Sequence, residues 1–504
     1  MLVSDSTRPW HRAAGGFPVW NLTLPEARPR DRAFGTHILE VGSMAESYGS
    51  VMLSNREALA DRLMERRLHG DAAWAKAELF RVAAERLMTD PASDRLSAEP
   101  IAVWVPGRVE VLGKHTDYAG GSSITTATEY GFAAVARPRG DDRLRVTELH
   151  RDETVDLRLA APPRPRLGHW SNYPTTVARR VVRNFPNVRC GADVVLVSDL
   201  PPAAGMSSSS ALMIATLLVL SRVNDLPATA AYREALADEV DLAGYAASIE
   251  AGQGFGTLEA EGGVGTFGGS EDHTAILCSR AGELSQFAYC PTRLQRRILF
   301  PVGYTLVLAS SGVVAEKTGA ALELYNRQSR LVAALLGLWR ESTGRPDPTL
   351  AQVVASGPDA VQRLRDMAAG AEHPQFSGEQ LVTRLDHFIT ENVQIIPAAG
   401  DALEAMDMDQ FGRLVDASQR AAEQRLGNQV PQTVYLAAQA RELGAVAASS
   451  FGAGFGGSVW AMVPHDQAES FQRRLAEAYR EQFPMLADQA DVLVSRPGPA
   501  ACIL

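Results

Sequence analysis

The most constraining feature of the sequence is the stretch Pro106–Gly121, which combines charged side chains with glycines and reads PGRVEVLGKHTDYAGG. Its four glycines would let the backbone approach a ligand closely. Donors and acceptors of both signs lie within ten residues, on and just after a strand-like run. The side chains that supply them are Arg108, Lys114, His115 and Asp117. The stretch therefore predicts a site for a small polyhydroxylated molecule beside an anion.

Composition and charge exclude several classes of protein. The chain has 504 residues, enough for two to four domains with buried cores. Its net charge is −10 without a long basic block, so nucleic acid is not an expected partner. No run of about 18 apolar residues suggests a membrane span, and the first residues lack the apolar core of a signal peptide. Four widely spaced cysteines without a CxxC pair favour a reducing location, and we expect a cytoplasmic protein.

The pattern of helical and strand-like segments predicts an N-terminal extension followed by two domains. Residues 1–70 begin with a Pro-, Arg- and Gly-rich stretch of weak periodicity, although one or two amphipathic helices are predicted within 55–88. Residues 71–295 mix strands with shorter helices. Near residue 296 the pattern changes to long helical stretches between a few strands, so a second domain over 296–504 is predicted.

A serine-rich turn is predicted between a strand at 192–198 and an apolar helix at 211–223. It reads PPAAGMSSSS from Pro201 to Ser210. The start of a helix offers unpaired N–H groups and the positive end of the helix dipole, which suits phosphate. A serine cap with nothing bound is the alternative, although one serine would suffice as a cap.

Eight glycines among residues 252–269 lead to an acidic pair, Glu271 and Asp272. This density predicts either backbone laid close to a ligand or a mobile loop, with Asp272 delivered at its end. Asp272 could instead simply cap a helix over 274–278. A third glycine-rich run, Gly452–Gly457, precedes a strand-like segment rather than a helix, so a hairpin near a ligand is predicted and a dinucleotide-binding fold is not.

These three blocks, in this order, resemble the motifs of the GHMP kinase superfamily. The first is similar to the galactokinase signature GRVNLIGEHTDYNGG, and the serine-rich turn to the phosphate loop PxGxGLSSSA. The resemblance covers roughly residues 72–495 and implies an α+β fold of two lobes. The first lobe would be like ribosomal protein S5 domain 2 and the second ferredoxin-like, with ATP and sugar between them. The implied reaction transfers the γ-phosphoryl of ATP, with Mg²⁺, to the C1 hydroxyl of a sugar.

The resemblance also assigns roles residue by residue. Arg108 matches the arginine near the transferring phosphoryl. Asp272 matches the aspartate of the family's M-D-Q, the candidate base, which nearby Arg108 would keep ionised. Asp117 and His115 match residues at the sugar hydroxyls, and Tyr325 resembles a tyrosine at the sugar. The implied partner is a small-molecule sugar, while monomer and homodimer both remain open.

The phosphate loop and metal ligands follow from the same resemblance. The loop residues expected to wrap the phosphates are Ala204, Gly205, Met206, Ser207, Ser208, Ser209 and Ser210. Ser209, or Ser208, is expected to bind Mg²⁺ together with Glu250. Because the segment from Glu250 to Asp272 is about ten residues longer than usual, Glu259 or Glu261 are alternative ligands. The first loop glycine is Ala203 here, which would add strain of order 1 kcal/mol if that position has a positive φ.

The largest departure from the signature is Lys114, where the family has glutamate. Only three of the 49 basic residues are lysines, so this choice needs explanation. Two roles are open for Lys114: a charge pair with Glu110, which replaces the family's asparagine, or contact with an anionic substituent of the substrate. Galactose is the first expectation for the substrate, and a uronic acid or another modified sugar is the alternative. A non-catalytic sugar and ATP sensor on the same fold is the competing class of function.

Overall fold

The computed structural model describes Leu53 and residues 55–89, 99–166, 168–202, 204–314 and 319–504, with the side chains of 319–321 left out. Most of the predicted N-terminal extension and Ala203 lie outside these ranges. Nothing in the structure therefore bears on the strain expected at Ala203.

The first part of the chain builds one large sheet with helices on both faces. In chain order its elements are α1 (Arg56–Glu65), α2 (Gly70–Met88), β1 (Ile101–Leu112), β2 (Ser122–Pro138), β3 (Arg143–Glu148), β4 (Glu153–Arg158), α3 (Asn172–Asn184), β5 (Ala192–Ser198), α4 (Ser208–Val223), α5 (Ala230–Ala235), α6 (Glu239–Ala251), α7 (Glu271–Cys278), β6 (Glu283–Ala288) and β7 (Arg293–Leu299).

The second part alternates long helices with a smaller sheet. Its elements are β8 (Tyr304–Ser310), α8 (Gly319–Thr343), α9 (Leu350–Ala355), α10 (Ala360–Ala369), α11 (Gly378–Phe388), α12 (Ile396–Glu404), α13 (Met408–Ala421), α14 (Pro431–Glu442), β9 (Ala447–Phe451), β10 (Ser458–Pro464), α15 (Ala468–Gln482), β11 (Asp491–Ser495) and β12 (Cys502–Ile503). Two π-helical segments, Ile389–Ile395 and Ala422–Leu426, follow α11 and α13.

The large sheet has the order β12-β1-β2-β5-β3-β4, with β6 paired to β2 and β7 to β6. Its central strands are buried on both faces, and alternate residues enter different cores because side chains alternate across a strand. Trp104 and Ala133 pack with the apolar faces of α1 and α2. Val103 and Ala134 face the opposite core, which α3, α4 and α6 share. The long strands β1 and β2 thus form a rigid floor from which the Pro106–Gly121 stretch emerges.

The small sheet has the order β11-β8-β10-β9, is antiparallel throughout and packs against α14 and α15. Helices α8 to α11 form a separate apolar cluster that includes Ala119, near the end of the signature. The chain then returns to the first sheet, because β12 pairs with β1. The predicted boundary at residue 296 falls within β7.

Most predicted elements are confirmed, several with the same ends. The strand at 192–198 is β5, and the Gly452–Gly457 run is the turn of a hairpin between β9 and β10. The β6–β7 hairpin and β12 were not predicted, since their patterns are short or highly charged. Among the described helices, none combines the length and apolar character needed to cross a membrane.

The buried ion pair between Lys76 on α2 and Asp199 after β5 provides the first prediction. The ammonium also lies 4.5 Å from the ring centre of Tyr130. Lys76→Met should lower the free energy of unfolding by about 2–3 kcal/mol, below the range for fully buried pairs because Asp199 is partly solvated. Urea unfolding measures the change. Arg81→Met, which breaks surface pairs on the same helix, should cost less than about 1 kcal/mol. Equal losses in both variants would contradict the prediction.

Candidate active site

An open cleft with about 530 Å³ of empty space lies where the Pro106–Gly121 stretch, the residues before and within α7, and the β9–β10 hairpin meet. Its wall includes residues from both parts of the chain, with Tyr325, Gly452 and Ala453 from the second part. The predicted site residues Arg108, His115, Asp117, Glu250, Asp272 and Tyr325 all line it.

Arg108 and Asp272 form a direct ion pair inside the cleft. Arg108 lies on β1 and is only 3% exposed, and Asp272 lies in the first turn of α7. Nε and Nη2 of Arg108 are each 2.7 Å from Oδ1 of Asp272. Nη1 of Arg108 donates to the carbonyl oxygen of Gly205 at 2.7 Å. One guanidinium therefore joins the signature strand, the acidic pair and the serine-rich turn.

The serine-rich turn has the features expected of an anion site. Gly205 and Ser207 both have left-handed backbones, with φ of 73° and 58°, and α4 begins at Ser208. The hydroxyl oxygen of Ser207 is buried and has no hydrogen-bond partner in the described structure, which suits an external ligand. The strained conformation of a non-glycine residue here is also typical of functional sites.

The hairpin glycines hold the serine-rich turn from the other side. Oγ of Ser458 donates to the carbonyl oxygen of Ala204 at 2.6 Å. A Cβ added to Gly452 would lie 2.9 Å from the carbonyl oxygen of Gly205, so a side chain there would displace the turn. The third motif thus touches the second.

The hydroxyl that bonds Glu250 belongs to Ser210, one residue beyond the serine predicted as a metal ligand. Ser210 donates to Oε2 of Glu250 at 2.9 Å, and Thr266 donates to Oε1 at 3.2 Å. The role of Ser209 or Ser208 as a metal ligand stays a prediction; α4 begins at Ser208, and its first turn presents Ser210 to Glu250 on α6.

The alternative metal ligands Glu259 and Glu261 form ion pairs with arginines. Glu259 pairs with Arg183, and Glu261 pairs with Arg179 and Arg183, all beside α3. Across the described ranges, no group of three or more His, Cys, Asp or Glu side chains is arranged to hold a metal by itself. A cation at Ser210 and Glu250 would therefore need further ligands such as phosphate oxygens, which is the usual arrangement for Mg²⁺.

Asp117 is held by backbone donors at the end of the signature. Its Oδ1 accepts from the N–H of Tyr118 at 2.8 Å, and its Oδ2 from the N–H of Glu271 at 3.3 Å. A Cβ added to Gly269 would lie 2.4 Å from Oδ2, and one added to Gly268 would lie 2.6 Å from the hydroxyl of Tyr325. The glycine-rich segment 252–269 therefore brings its backbone close to two side chains that are predicted to bind sugar.

His115 has a defined tautomer in this site. Its Nε2 lies 3.1 Å from the carbonyl oxygen of Ala453, which can only accept, so Nε2 carries the proton. Nδ1 then accepts from the hydroxyl of Tyr118 at 2.8 Å. The ring centres of His115 and Tyr325 are 5.5 Å apart. Both aromatic groups thus form one side of the cleft.

Lys114 does not line the cleft, although it was expected to contact substrate. Its ammonium is 1% exposed and donates to Oγ of Ser449 at 2.9 Å and of Ser418 at 3.2 Å. Ser418 in turn donates to Oε1 of Glu391 at 2.9 Å, and the same oxygen accepts from the N–H of Gly113 at 3.0 Å. The side chain turns away because this buried polar network ties the signature to the second part of the chain.

A pair of buried carboxyls, Glu110 and Glu271, was not recognised from the sequence. The two side chains interact electrostatically with each other, and both line the cleft. Burial raises the pKa of Glu110 to about 7, against the attraction of Lys114 and Arg108. Burial and the nearby carboxylates of Glu110 and Asp117 raise the pKa of Glu271 well above its ordinary value. Two adjacent buried carboxyls therefore resist ionising together.

The signal for this pair was present in the motifs. Glu110 was interpreted only as a partner of Lys114, and Glu271 only as a neighbour of Asp272. Both are carboxyls at positions where the resembled motifs have asparagine and methionine. Each therefore places a carboxyl where the resembled motif has a neutral residue, which is the signal that the sequence offered.

Three family models match the chain, and they fall on the elements that form the cleft. Residues 172–255 match "GHMP kinases N terminal domain", residues 401–481 match "GHMP kinases C terminal", and residues 94–138 match "Galactokinase galactose-binding signature". The first covers the serine-rich turn and Glu250, and the third covers the whole Pro106–Gly121 stretch.

Similar proteins agree with these matches. The galactokinase of Actinobacillus pleuropneumoniae serotype 3 (strain JL03) is 27% identical over 387 residues, which covers 75% of this chain and 89% of that protein. The galactokinase of Exiguobacterium sibiricum is 28% identical over 392 residues, which covers 75% of this chain and 88% of that protein. The crystal structure of Lactococcus lactis galactokinase complexed with galactose has a TM-score of 0.67 at 21% identity, covering 81% of this chain and 95% of that one. The predicted two-lobed α+β fold is thereby confirmed.

The buried network around Lys114 predicts a stability effect rather than a change of substrate. Lys114→Glu would bury a carboxylate near Glu391 and Glu110, and should lower the free energy of unfolding by more than about 3 kcal/mol. Lys114→Met, which keeps the apolar stem, should cost less. Chemical denaturation of both variants measures this. A Lys114→Glu variant that is as stable as the unmodified protein and more active on galactose would place Lys114 at the substrate instead.

The raised pKa of Glu110 predicts that the free energy of unfolding falls as pH rises. Between the ordinary value of 4.5 and about 7, the unfolded chain ionises Glu110 while the folded protein keeps it protonated. Glu110→Gln cannot ionise, so its stability relative to the unmodified protein should increase by on the order of 1 kcal/mol per pH unit across that interval, then level off. Urea unfolding at several pH values tests this. A difference that does not change with pH would contradict it.

Proposed function

Because this chain belongs to the GHMP kinase superfamily and is galactokinase-like, we propose that it is an ATP-dependent sugar kinase that phosphorylates the C1 hydroxyl of galactose or a related sugar. The observation that carries the proposal is the Arg108–Asp272 pair. It lies against the serine-rich turn in the same cleft as Asp117. A phosphate site, a candidate base and a polyol site therefore adjoin one another.

The nucleotide phosphates would bind at the start of α4. The N–H groups of the first turn and the buried hydroxyl of Ser207 donate to phosphate oxygens, and the helix dipole favours their charge. Ser210 and Glu250 would hold Mg²⁺. When bound, this ion neutralises charge on the phosphates. Gly452 leaves room for the turn to keep its shape.

Asp272 would act as the base in phosphoryl transfer to the sugar. The C1 oxygen of the sugar bonds to the γ-phosphorus while the bond from that phosphorus to the leaving oxygen of ADP breaks, and Asp272 accepts the hydroxyl proton. Arg108 holds Asp272 in place and stabilises negative charge on the transferring group. Phosphoryl transfer depends mainly on positioning and charge stabilisation, so a base bonded to arginine is compatible with it.

The sugar would be held opposite the phosphates. Asp117, oriented by two backbone donors, accepts from ring hydroxyls, and His115 and Tyr325 border the sugar. Lys114 takes no part, so the argument for a uronic acid that rested on its charge falls away. The intact Arg108–Asp272 pair also favours an enzyme over a sensor, because binding alone would not need it.

Asp272→Asn tests the assignment of the base. The amide cannot accept the proton, so kcat with ATP and the preferred sugar should fall by about 10²–10⁴-fold, while the affinity for sugar changes little. A coupled ADP-release assay and calorimetric sugar binding measure the two effects. Asp156→Asn, which loses a carboxylate on the surface of β4, is the matched control. Retention of activity in Asp272→Asn would refute the role. Sugar binding without sugar-stimulated ADP release in the unmodified protein would favour the sensor.

A further inference from the structure

The cleft contains more carboxyl groups than the proposed reaction uses. Five of its described lining residues are acidic: Glu110, Asp117, Glu250, Glu271 and Asp272. Arg108 is the single Lys or Arg among those described, and its guanidinium is already bonded to Asp272 and Gly205. Asp272, Asp117 and Glu250 have roles in the proposed reaction. Glu110 and Glu271 have none.

Glu110 and Glu271 lie between the sugar-binding and transfer residues. Glu271 is bonded through its backbone N–H to Asp117 and is followed directly by Asp272. Glu110 is two residues beyond Arg108 on β1. Only 3% and 5% of these two side chains is exposed, and Oε1 of Glu110 is buried without a hydrogen-bond partner in the described structure.

A buried carboxyl with an unpartnered oxygen is costly, and two adjacent carboxyls increase the cost. The charged groups that face the pair are Arg108, Lys114, Asp117, Asp272 and Glu391. Three of these five are themselves acidic, and the ammonium of Lys114 is bonded to serines. The protein side chains around the pair therefore leave it short of positive charge and of donors.

The missing partner would be a cation that also donates hydrogen bonds. An ammonium group provides three donors on a compact charge, and a carboxylate pair can accept all of them. A neutral sugar brings hydroxyls but no charge. A uronic acid would bring a sixth carboxylate into the cleft and be repelled.

We propose that Glu110 and Glu271 are specificity-determining residues that bind the ammonium group of an amino sugar, which is the preferred phosphoryl acceptor of this kinase. This inference rests on the proposed function, which it narrows to one class of sugar. The pair contacts a substituent of the sugar and takes no part in the transfer of the phosphoryl group.

The first experiment compares matched sugars with the full chain and MgATP. Galactosamine and glucosamine are compared with galactose and glucose, with their N-acetyl forms and with galacturonate in the coupled ADP-release assay. At least one free amino sugar should have a kcat/KM at least about 10-fold above that of its neutral parent. Acetylation removes the charge and should abolish the advantage, and galacturonate should be the poorest substrate.

The second experiment removes the pair. Glu110→Asn with Glu271→Met installs the residues that stand in the resembled motifs. It should raise KM for the amino sugar by about 10-fold or more and leave its kcat within about threefold, because binding of the substituent is lost while the transfer residues remain. Glu259→Gln, a carboxyl lost outside the cleft, is the matched control. If the double variant does not fold, the isosteric Glu110→Gln gives the same comparison.

The outcomes separate this inference from the proposed function. If neutral sugars stimulate ADP release and amino sugars stimulate it no more strongly, the inference is overturned and the kinase proposal stands. Equal losses for amino and neutral sugars in the double variant also overturn it, because the pair is then structural. If no sugar stimulates ADP release, calorimetry decides: tighter binding of the amino sugar supports the role of the pair in a sensor, and its absence refutes both proposals.

Discussion

The guanidinium of Arg108 holds three separate segments of the chain at one point. It bonds Asp272 at the start of α7 and the carbonyl oxygen of Gly205 in the serine-rich turn, while its own backbone N–H donates to the carbonyl oxygen of Met206 at 3.2 Å. A buried charge is tolerated only when it is paired and fully hydrogen-bonded, so each of these segments is fixed relative to the others by the cost of separating them. The strand, the turn and the helix are rigid elements, and a site built on such elements keeps its geometry without help from a ligand.

A second buried cation ties the two parts of the chain together outside the cleft. Lys114 and Glu391 share Ser418, and Glu391 also accepts from the N–H of Gly113. Glu391 lies in a π-helical segment, a geometry that occurs frequently at functional sites and here points the carboxylate at the signature. The segment that carries His115 and Asp117 into the cleft is thus anchored from behind. The glycines of this segment let its backbone approach the rest of the cleft closely, and the network around Lys114 and Glu391 holds the segment in that position.

How far the sequence could predict this molecule depends on how local each signal is. The strand at 192–198, the turn after it and the hairpin at Gly452 were correctly predicted because period, serine content and glycine content are local properties. The family and fold followed from the order of three motifs. The direction of Lys114 could not be predicted, because its partners Ser418 and Ser449 lie more than 300 residues away. Which serine bonds Glu250 depends on where α4 begins, and helix ends are the least certain part of any prediction.

Carrying roles over from a resembled motif works best where neighbouring side chains match as well. At Arg108, Asp117 and Asp272 the residues and their contacts fit the expected chemistry. At position 114 the motif's glutamate is replaced by Lys114, whose side chain is buried in the interior and does not line the cleft. In the same motif, Glu110 brings an acid where the family has an amide, and it meets a second new acid at Glu271. The three changes leave the formal net charge of these positions unchanged while moving negative charge from the outer end of the signature to the floor of the cleft. A substrate preference inferred from Lys114 alone therefore has the opposite sign of charge from the one we propose on the basis of Glu110 and Glu271.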